Sequence, residues 1–475
     1  MKRRQFLRAC GAAASVGWSV LAPRHAWSSE RTLGANERVR VGWIGCGGRG
    51  TFVARCFHES PAAEIVAVCD VYEPQCDKAR AWLQCDVAAY ADFRRVLDRQ
   101  DIDAVLVATP DHWHAIPTVL ACQAGKDVYV EKPLGHNVTE GRTMVEAARK
   151  HDRIVQTGTQ QRSAAHFHRI REIVQSGQLG EVKFVRIWNY SNLTPGGIGR
   201  APDAPPPAGL DWDFYLGPAP QVPFNPKRFL GTYRYFWDYA GGVPTDWGTH
   251  RFDVLHLVMG QSVPTSVSAS GGRFVLDDAG EVPDVLQATF EYPDFVLSYE
   301  CTLLNAFGTG GRTPGMAYYR ANGPDDRPNG MAFYGTNGTL LADRLGFEIM
   351  PELIPGRKAT TAQRDSLDHF RMKREDGFTP DTTKLHVQDF LDCVRSRKRP
   401  IADVELGHHA SNVAHLANIA YKTGRKLRWD GQRERFLDDP EADRLLTRAA
   451  RKPWHVISRP GDDKVEAGLS GNPAS

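Results

Sequence analysis

The run Val41-Gly42-Trp43-Ile44-Gly45-Cys46-Gly47-Gly48-Arg49-Gly50 constrains this chain more than any other segment. Val39 to Ile44 reads as a short buried strand. Gly45, Gly47 and Gly50 form G-x-G-x-x-G, and Thr51 to His58 continues as a helix. A lone glycine triad is a weak signal; one set between a strand and a helix is the pattern of a dinucleotide fold. The first glycine makes the tight turn, the second admits the pyrophosphate to the backbone, and the third lets helix pack on strand. Gly48 and Arg49 complete the turn, and the free N–H groups opening the helix suit phosphate. A second apolar run, Glu64 to Cys69, ends at Asp70, 20 residues past Gly50. There a carboxylate accepts hydrogen bonds from the adenosine ribose and repels a 2′-phosphate, so the expected cofactor is NAD rather than NADP.

From Arg38 to about Gln156 short apolar runs (Glu64–Cys69, Ala104–Ala108, Asp127–Val130, Ile154–Gln156) alternate with helical spacing at Gln75–Leu83, His114–Ala124 and Thr139–Lys150. This alternation predicts an α/β Rossmann domain over residues 38–160, its parallel sheet covered on both faces. Ligands of such sheets lie at the carboxyl ends of the strands, which selects Asp70, Thr109 to His114 and Glu131-Lys132-Pro133. The texture then changes. After a helix from Ala165 to Ser176, the runs Val182–Tyr190, Pro264–Gly271, Val285–Tyr292, Val296–Leu303 and Met331–Gly335 read as a mostly antiparallel sheet. Two helices follow between Leu385 and Thr423. The expected second domain is α+β over residues 161–455, with a disordered tail over 456–475. The Pro/Gly-rich stretch from Asn192 to Pro226 reads as a long surface insertion.

The first residues, Met1-Lys2-Arg3-Arg4-Gln5-Phe6-Leu7-Arg8, precede an Ala/Gly-rich stretch and a small-residue region at Ala26-Trp27-Ser28. These are the parts of an export signal over residues 1–28, and Arg3-Arg4 resembles the twin-arginine type. That machinery carries folded proteins, so periplasmic delivery with the dinucleotide already loaded is expected. The apolar stretch is too short for a membrane span. Cys10 stands before it rather than after, so no stable membrane anchor is expected. Met1 to Ser28 holds five Lys/Arg and no acid against a net charge of +3, which leaves −2 on the remainder. That balance gives no reason to invoke nucleic acid. The cysteines are scattered without C-x-x-C pairs and read as small buried hydrophobes.

Lys132 stands where a nicotinamide ring would lie, and an ammonium there can stabilise a developing alkoxide. The second half-site is Gly241-Gly242-Val243-Pro244-Thr245-Asp246-Trp247-Gly248-Thr249-His250. Asp246 and His250 are four apart, so one helical turn puts both on one face. An imidazole near its ordinary pKa suits a general base, and a carboxylate beside it can fix its tautomer. Asp246, His250 and His256 could instead be metal ligands, but D-x-x-x-H is unspecific and no Cys/His cluster supports it, so no metal is expected. Tyr233, Tyr235, Phe236, Trp237 and Tyr239 precede the motif; such rings stack on sugar C–H surfaces, and Asp238 or Arg234 could hydrogen-bond hydroxyls. Tyr235, Trp237 and Asp238 are the substrate candidates among them. His408-His409 is given no role.

Taken in order, these motifs resemble the glucose–fructose oxidoreductase / inositol dehydrogenase / MocA (Gfo/Idh/MocA) family, over about Arg38 to Trp454. The resemblance extends to its exported branch through Asp111-His112-Trp113-His114, Gly158-Thr159-Gln160-Gln161-Arg162 and Arg451-Lys452-Pro453-Trp454. It implies a Rossmann domain plus an α+β domain whose large open sheet joins copies into a homo-oligomer. It implies His250 as base, Asp246 as its partner and Lys132 as polarising cation on a sugar or polyol hydroxyl. It further implies that Thr109, Pro110, Asp111, His112, Trp113, His114, Glu131, Gln160 and Gln161 line the cofactor, with Arg162 toward the substrate.

The expected activity is therefore NAD-dependent oxidation or reduction at a carbohydrate, cyclitol or glycoside hydroxyl carbon. Free NAD is scarce outside the cytoplasm, so the cofactor is expected to stay bound and to be reduced and reoxidised within one cycle. One rival is the family's glycosidase branch, which cleaves by transient oxidation and elimination. That branch lacks the E-K-P lysine and carries a Y-P-T-H-like segment instead of D-x-x-x-H. The other rival, a non-catalytic sugar or nucleotide sensor, has no need of Lys132, Asp246 and His250 together.

Overall fold

β1 (Val39–Ile44) is buried along almost its whole length, as a run of Val, Trp and Ile requires when both faces of a sheet are covered. The computed structural model describes residues 38–306, 327–360, 363 and 366–454. The expected export signal and the tail over 456–475 lie outside the described residues. β1 is joined by β2 (Ala63–Cys69), β3 (Ala88–Tyr90), β4 (Ala104–Val107), β5 (Asp127–Val130) and β6 (Val155–Thr157) in a parallel sheet ordered β3-β2-β1-β4-β5-β6. The helices α1 (Gly48–His58), α2 (Glu73–Leu83), α3 (Phe93–Leu97), α4 (Ala115–Gln123) and α5 (Val138–Lys150) connect these strands. The chain reverses direction across the sheet between β1 and β4, and that switch point is where a doubly wound sheet opens its crevice. β3 and α3, only three and five residues long, carry too little periodicity to be read from sequence.

α6 (Ala165–Gln175) leads into β7 (Val182–Tyr190). The insertion that follows carries the short helix α7 (Trp212–Leu216), and α8 (Thr249–Met259) closes it. Then come β8 (Ser266–Gly272), β9 (Val285–Glu291), β10 (Val296–Thr302), β11 (Asn329–Gly335), β12 (Gly338–Ala342), β13 (Gly346–Pro351) and β14 (Asp376–Phe378). α9 (Thr383–Ser396), α10 (Val404–Thr423), β15 (Leu427–Asp430), β16 (Arg435–Leu437) and α11 (Pro440–Arg444) complete the described chain. The ten strands β7–β16 form one sheet ordered β14-β13-β12-β11-β7-β10-β9-β8-β15-β16. It is antiparallel except where β10 runs parallel to β7.

One face of this sheet is covered by α6, α8 and α10, whose apolar side chains (Phe167, Phe252, Leu416) meet Phe290, Tyr299 and Phe333 from the strands. Burying a side chain of that size contributes about 1.5–3 kcal/mol. The other face is open: Phe184 is 40% and Val296 39% exposed, and the Phe184 ring stacks on Tyr334 at 5.2 Å. α10 packs on both α5 and β8, so one helix fixes the Rossmann sheet against the second sheet. Seven of the eight described cysteines are buried, Cys85 being the exposed one. Among the described residues no helix is long and apolar enough to cross a membrane.

Candidate active site

The turn after β1 is shaped by its glycines. Gly45 has φ +91°, and a Cβ there would lie 2.5 Å from the Ala108 carbonyl carbon and 2.7 Å from Thr109 N. A Cβ on Gly50 would lie 2.0 Å from the Gly45 oxygen, so helix and turn touch only because residue 50 lacks a side chain. At Gly47 and Gly48 a Cβ would meet nothing within 4 Å, which leaves bare backbone facing open space. Gly47 is the N-cap of α1, with no side-chain cap and no acid in the first turn. The first N–H groups of the helix are therefore left for an anion. A phosphate-bearing dinucleotide fits this turn.

A cavity of about 440 Å³ runs along the ends of β1, β2, β4 and β5. Gly45, Gly47, Gly48, Arg49, Asp70, Thr109, Pro110, Asp111, Trp113, His114, Glu131 and Lys132 line it, as read from the sequence. Asp70 accepts backbone N–H groups from Cys46 (2.8 Å) and Tyr72 (3.0 Å), one on each oxygen. Each oxygen keeps a second lone pair for a ribose hydroxyl. Burial pushes the Asp70 carboxyl up to about 6 against the pull of these bonds. Arg49 Nε donates to Glu131 Oε1 at 2.8 Å. His114 sits between the carbonyls of Pro133 (Nδ1, 2.6 Å) and Thr109 (Nε2, 2.9 Å) and donates to the one that faces its protonated nitrogen, at the adjoining ends of β4 and β5.

Lys132 lines this cavity and also reaches into the second domain. Its ammonium donates to the main-chain oxygen and to Oδ1 of Asp246, both at 2.6 Å. Asp246 sits on a π-helical turn, Pro244–Gly248, that runs directly into α8; such turns recur at functional sites. Arg234 Nε approaches the same Oδ1 at 3.4 Å. Burial opposes ionisation of Asp246, but the Lys132 and Arg234 charges overcome it and hold the carboxyl at about 2.

This corrects one expectation. Asp246 is not the hydrogen-bond partner of His250: two cations attract its carboxylate more strongly than a neutral imidazole can. Neither Asp246 nor His250 lines the cavity itself; both lie behind the Lys132 ammonium, and the Nδ1 of His250 is sealed from solvent with no partner among the described residues. Burial pushes the His250 imidazole well below the usual histidine range, and the charges of Lys132, Arg344, Arg49 and Arg251 add to that effect. The imidazole is thus neutral at physiological pH rather than poised near its ordinary pKa.

Several expected site residues lie elsewhere. Arg162 is buried in an ion pair with Asp253 (Nη2–Oδ1, 2.8 Å) and has no place in the cleft wall, because a buried guanidinium needs its own carboxylate. Trp237 and Asp238 line a separate cavity of about 260 Å³ beside Lys422, whose ammonium lies 3.8 Å from the Trp237 ring centroid. Asp238 also pairs with Arg228 at 3.1 Å. Tyr235 packs on the core of the second sheet. His112 is buried behind the cleft with Nε2 at 2.9 Å from the Tyr215 carbonyl, and burial pushes it down to about 3. Gln160 accepts from Arg49 and Gln161 from Arg251, so both buttress charged groups rather than line the cavity. His408 is fully buried against Glu434, a structural contact. Among the described residues no group of three or more His, Cys, Asp or Glu is arranged to hold a metal.

The insertion is not confined to the surface, and four of its wall residues, Phe214, Tyr215, Phe229 and Leu230, were missed from sequence, whereas Tyr233 and Arg234 were named there. Phe214, Tyr215, Phe229, Leu230, Tyr233 and Arg234 form the outer wall of the cleft. The Tyr233 hydroxyl donates to buried Asp111 Oδ1 at 2.9 Å. The aromatic cluster pointed to this segment, but spacing does not say which rings face the cleft.

The sequence model for the oxidoreductase family's NAD-binding Rossmann fold matches residues 39–159, and the one for its C-terminal alpha/beta domain matches 164–294 and 368–456. The chain belongs to the Gfo/Idh/MocA oxidoreductase family. Within that family it is 28% identical over 247 residues to the myo-inositol 2-dehydrogenase of Thermotoga maritima, covering 52% of this chain and 62% of that one. It is 33% identical over 202 residues to a glycosyl hydrolase family 109 protein of Saccharopolyspora erythraea, covering 38% and 44%. The chain thus spans less than two thirds of the length of these curated relatives. Its fold is that of the aldose-aldose oxidoreductase of Caulobacter crescentus, crystallised with glycerol (TM-score 0.61, 16% identity, 82% of this chain and 99% of that one). The WlbA dehydrogenase of Bordetella pertussis, in complex with NADH and UDP-GlcNAcA, is similar too (TM-score 0.59, 17% identity, 83% and 99%).

Proposed function

We propose that this Gfo/Idh/MocA protein is an NAD-dependent oxidoreductase acting on a hydroxyl-bearing carbon of a carbohydrate, cyclitol or glycoside. One observation carries the reading. A single ammonium, Lys132, lines the dinucleotide cleft and is fixed at 2.6 Å to the turn that leads to His250. Bound NAD supplies the hydride acceptor and donor. Lys132 stabilises negative charge as it develops on the substrate oxygen. Asp246, ionised across the working pH range, keeps that cation in place, with Arg234 as second counter-charge. The neutral imidazole of His250 takes the hydroxyl proton and returns it in the reverse direction.

Likeness to a family 109 glycosyl hydrolase favours a second reading, in which oxidation is transient and a glycosidic bond is cleaved. Incubation of the purified full chain with free sugars, inositols and aryl glycosides separates the two, with NADH absorbance and aglycone release followed together. A change at the nicotinamide without aglycone is expected. Aglycone release requiring bound NAD would install the second reading, and silence in both channels, with the bound nicotinamide itself read in single turnovers at high enzyme concentration, would overturn both.

Export by the twin-arginine route is part of the proposal, supported by Arg3-Arg4 and the small-residue region near Ser28. Arg3→Lys with Arg4→Lys is expected to leave folded protein in the cytoplasm, as read by cell fractionation; unchanged periplasmic delivery overturns it. The exposed Phe184 and Val296 support contact between copies through the open sheet, which the mass in solution tests.

A further inference from the structure

We infer that the segment Gly209–Arg234 is a strap that locks the dinucleotide in its cleft, so that NAD is a resident group rather than an exchanging co-substrate. The inference rests on the NAD reading above and assigns that retention to particular residues. The strap belongs to the second domain's insertion, yet it is stitched to the Rossmann sheet at both ends and along its length.

At its start, Leu210 forms a β-bridge with Tyr72, two residues past Asp70. Glu73 N–H donates to the Gly209 carbonyl at 2.8 Å, and Asp211 N–H to the Val71 carbonyl at 3.1 Å. The loop carrying the ribose-side carboxylate is thereby paired to the strap. In the middle, the Tyr215 carbonyl accepts from Trp113 Nε1 at 2.8 Å, and the Phe214 ring lies 5.5 Å from Trp113. Gly217 has φ +49°, and a Cβ there would lie 2.1 Å from the Trp113 ring, so the approach is as close as backbone allows. At its end, Tyr233 donates to Asp111 and Arg234 pairs with Asp246.

A third element holds the strap from outside. Arg451 donates to the carbonyls of Gly217 (3.0 Å) and Asp213 (2.7 Å) and to the Asp213 carboxylate (2.6 Å). Trp454 stacks on Phe214 at 5.2 Å and meets Trp113 edge-on at 4.8 Å. Arg451 has no place in the cleft wall, so it acts only by holding what does. Leu230, at φ +52° and 49% exposed, is a rim residue of the same wall. A dinucleotide seated on Gly45–Arg49 and Asp70 is covered by these side chains, and it leaves only when several of the contacts open together.

The test uses the purified full chain and NADH as probe. Bound nucleotide is measured after desalting, and release is followed as loss of NADH fluorescence on chasing with excess NAD. The wild-type protein is expected to keep its nucleotide through desalting. Arg451→Ala and the isosteric Tyr233→Phe are each expected to speed release by about tenfold, since a lost hydrogen bond to a charged group is worth that much. Their melting temperatures are measured alongside, and Tyr233→Phe carries the test if Arg451→Ala unfolds. Saturable NADH binding that wild type and Tyr233→Phe release equally fast overturns the strap and leaves the NAD reading standing. No binding at millimolar NADH overturns both.

Discussion

Lys132→Ala is expected to lower turnover by roughly a hundredfold to a thousandfold, the loss typical of removing one preorganised donor from a developing oxyanion. The NAD affinity should stay within a few-fold, because the glycine turn and Asp70 hold the adenosine half without this side chain. The ammonium is held by two oxygens of one residue, so its position is fixed before substrate arrives. Preorganisation of that kind means the donor need not reorient as charge develops. Lys132→Arg keeps the charge but not the compact three-donor geometry, and partial recovery is expected. Asp246→Asn should lower turnover less than Lys132→Ala, by loosening the lysine rather than by misorienting His250. If the pair acts as a unit, the double variant loses far less than the product of the single losses. Steady-state kinetics and an NADH titration on each variant check this. Turnover within a few-fold of wild type for Lys132→Ala would remove the lysine from the mechanism.

What could be read from sequence divides by distance along the chain. Gly45, Gly47, Gly50, Asp70 and Lys132 were legible because each follows a strand, and the carboxyl ends of parallel strands share one crevice by construction. Pairings that span the chain were not legible. Asp246 meets Lys132 across 114 residues and Tyr233 meets Asp111 across 122. Periodicity places His250 one helical turn from Asp246, yet nothing in it reveals that two cations arrive first. Arg162 shows the converse. It stands beside Gln160 and Gln161 in a turn at the crevice, but its charge is satisfied by Asp253, 91 residues on. β12 and β13 follow β11 through short turns, and β14, well separated from β13 along the chain, has only three residues; each is too short to show a period of two. The insertion's composition announced a loop, and only the tertiary fold shows it lying over the cleft.

His250→Ala is expected to lower turnover by about a hundredfold to ten-thousandfold, the range general-base assistance contributes. The pH profile carries the sharper test. Burial and four nearby cations depress the pKa of His250, so the wild-type imidazole stays neutral well below pH 6.5. The acid limb of kcat assigned to this base should therefore fall below pH 6.5, and that limb should vanish in His250→Ala. A separate measurement reads the same group without any substrate. A histidine whose pKa is depressed on folding binds its proton only in the unfolded chain between the two pKa values. Its contribution to stability is present above pH 6.5 and is lost as pH falls. His112, His136, His166, His386 and His415 behave alike, all pushed down chiefly by burial. Unfolding free energy should thus fall steeply as the medium is acidified. Removing His250 should flatten that slope by an amount that approaches about 1.4 kcal/mol per pH unit roughly one unit below pH 6.5, where the unfolded chain binds nearly one full proton more. Denaturant unfolding of wild type and His250→Ala across pH 5–7 measures the difference. A flattened slope with unchanged turnover would mean a buried structural histidine and would end its assignment as the base. An unchanged slope with lost turnover would mean that the imidazole titrates near its ordinary value and is not held neutral by burial.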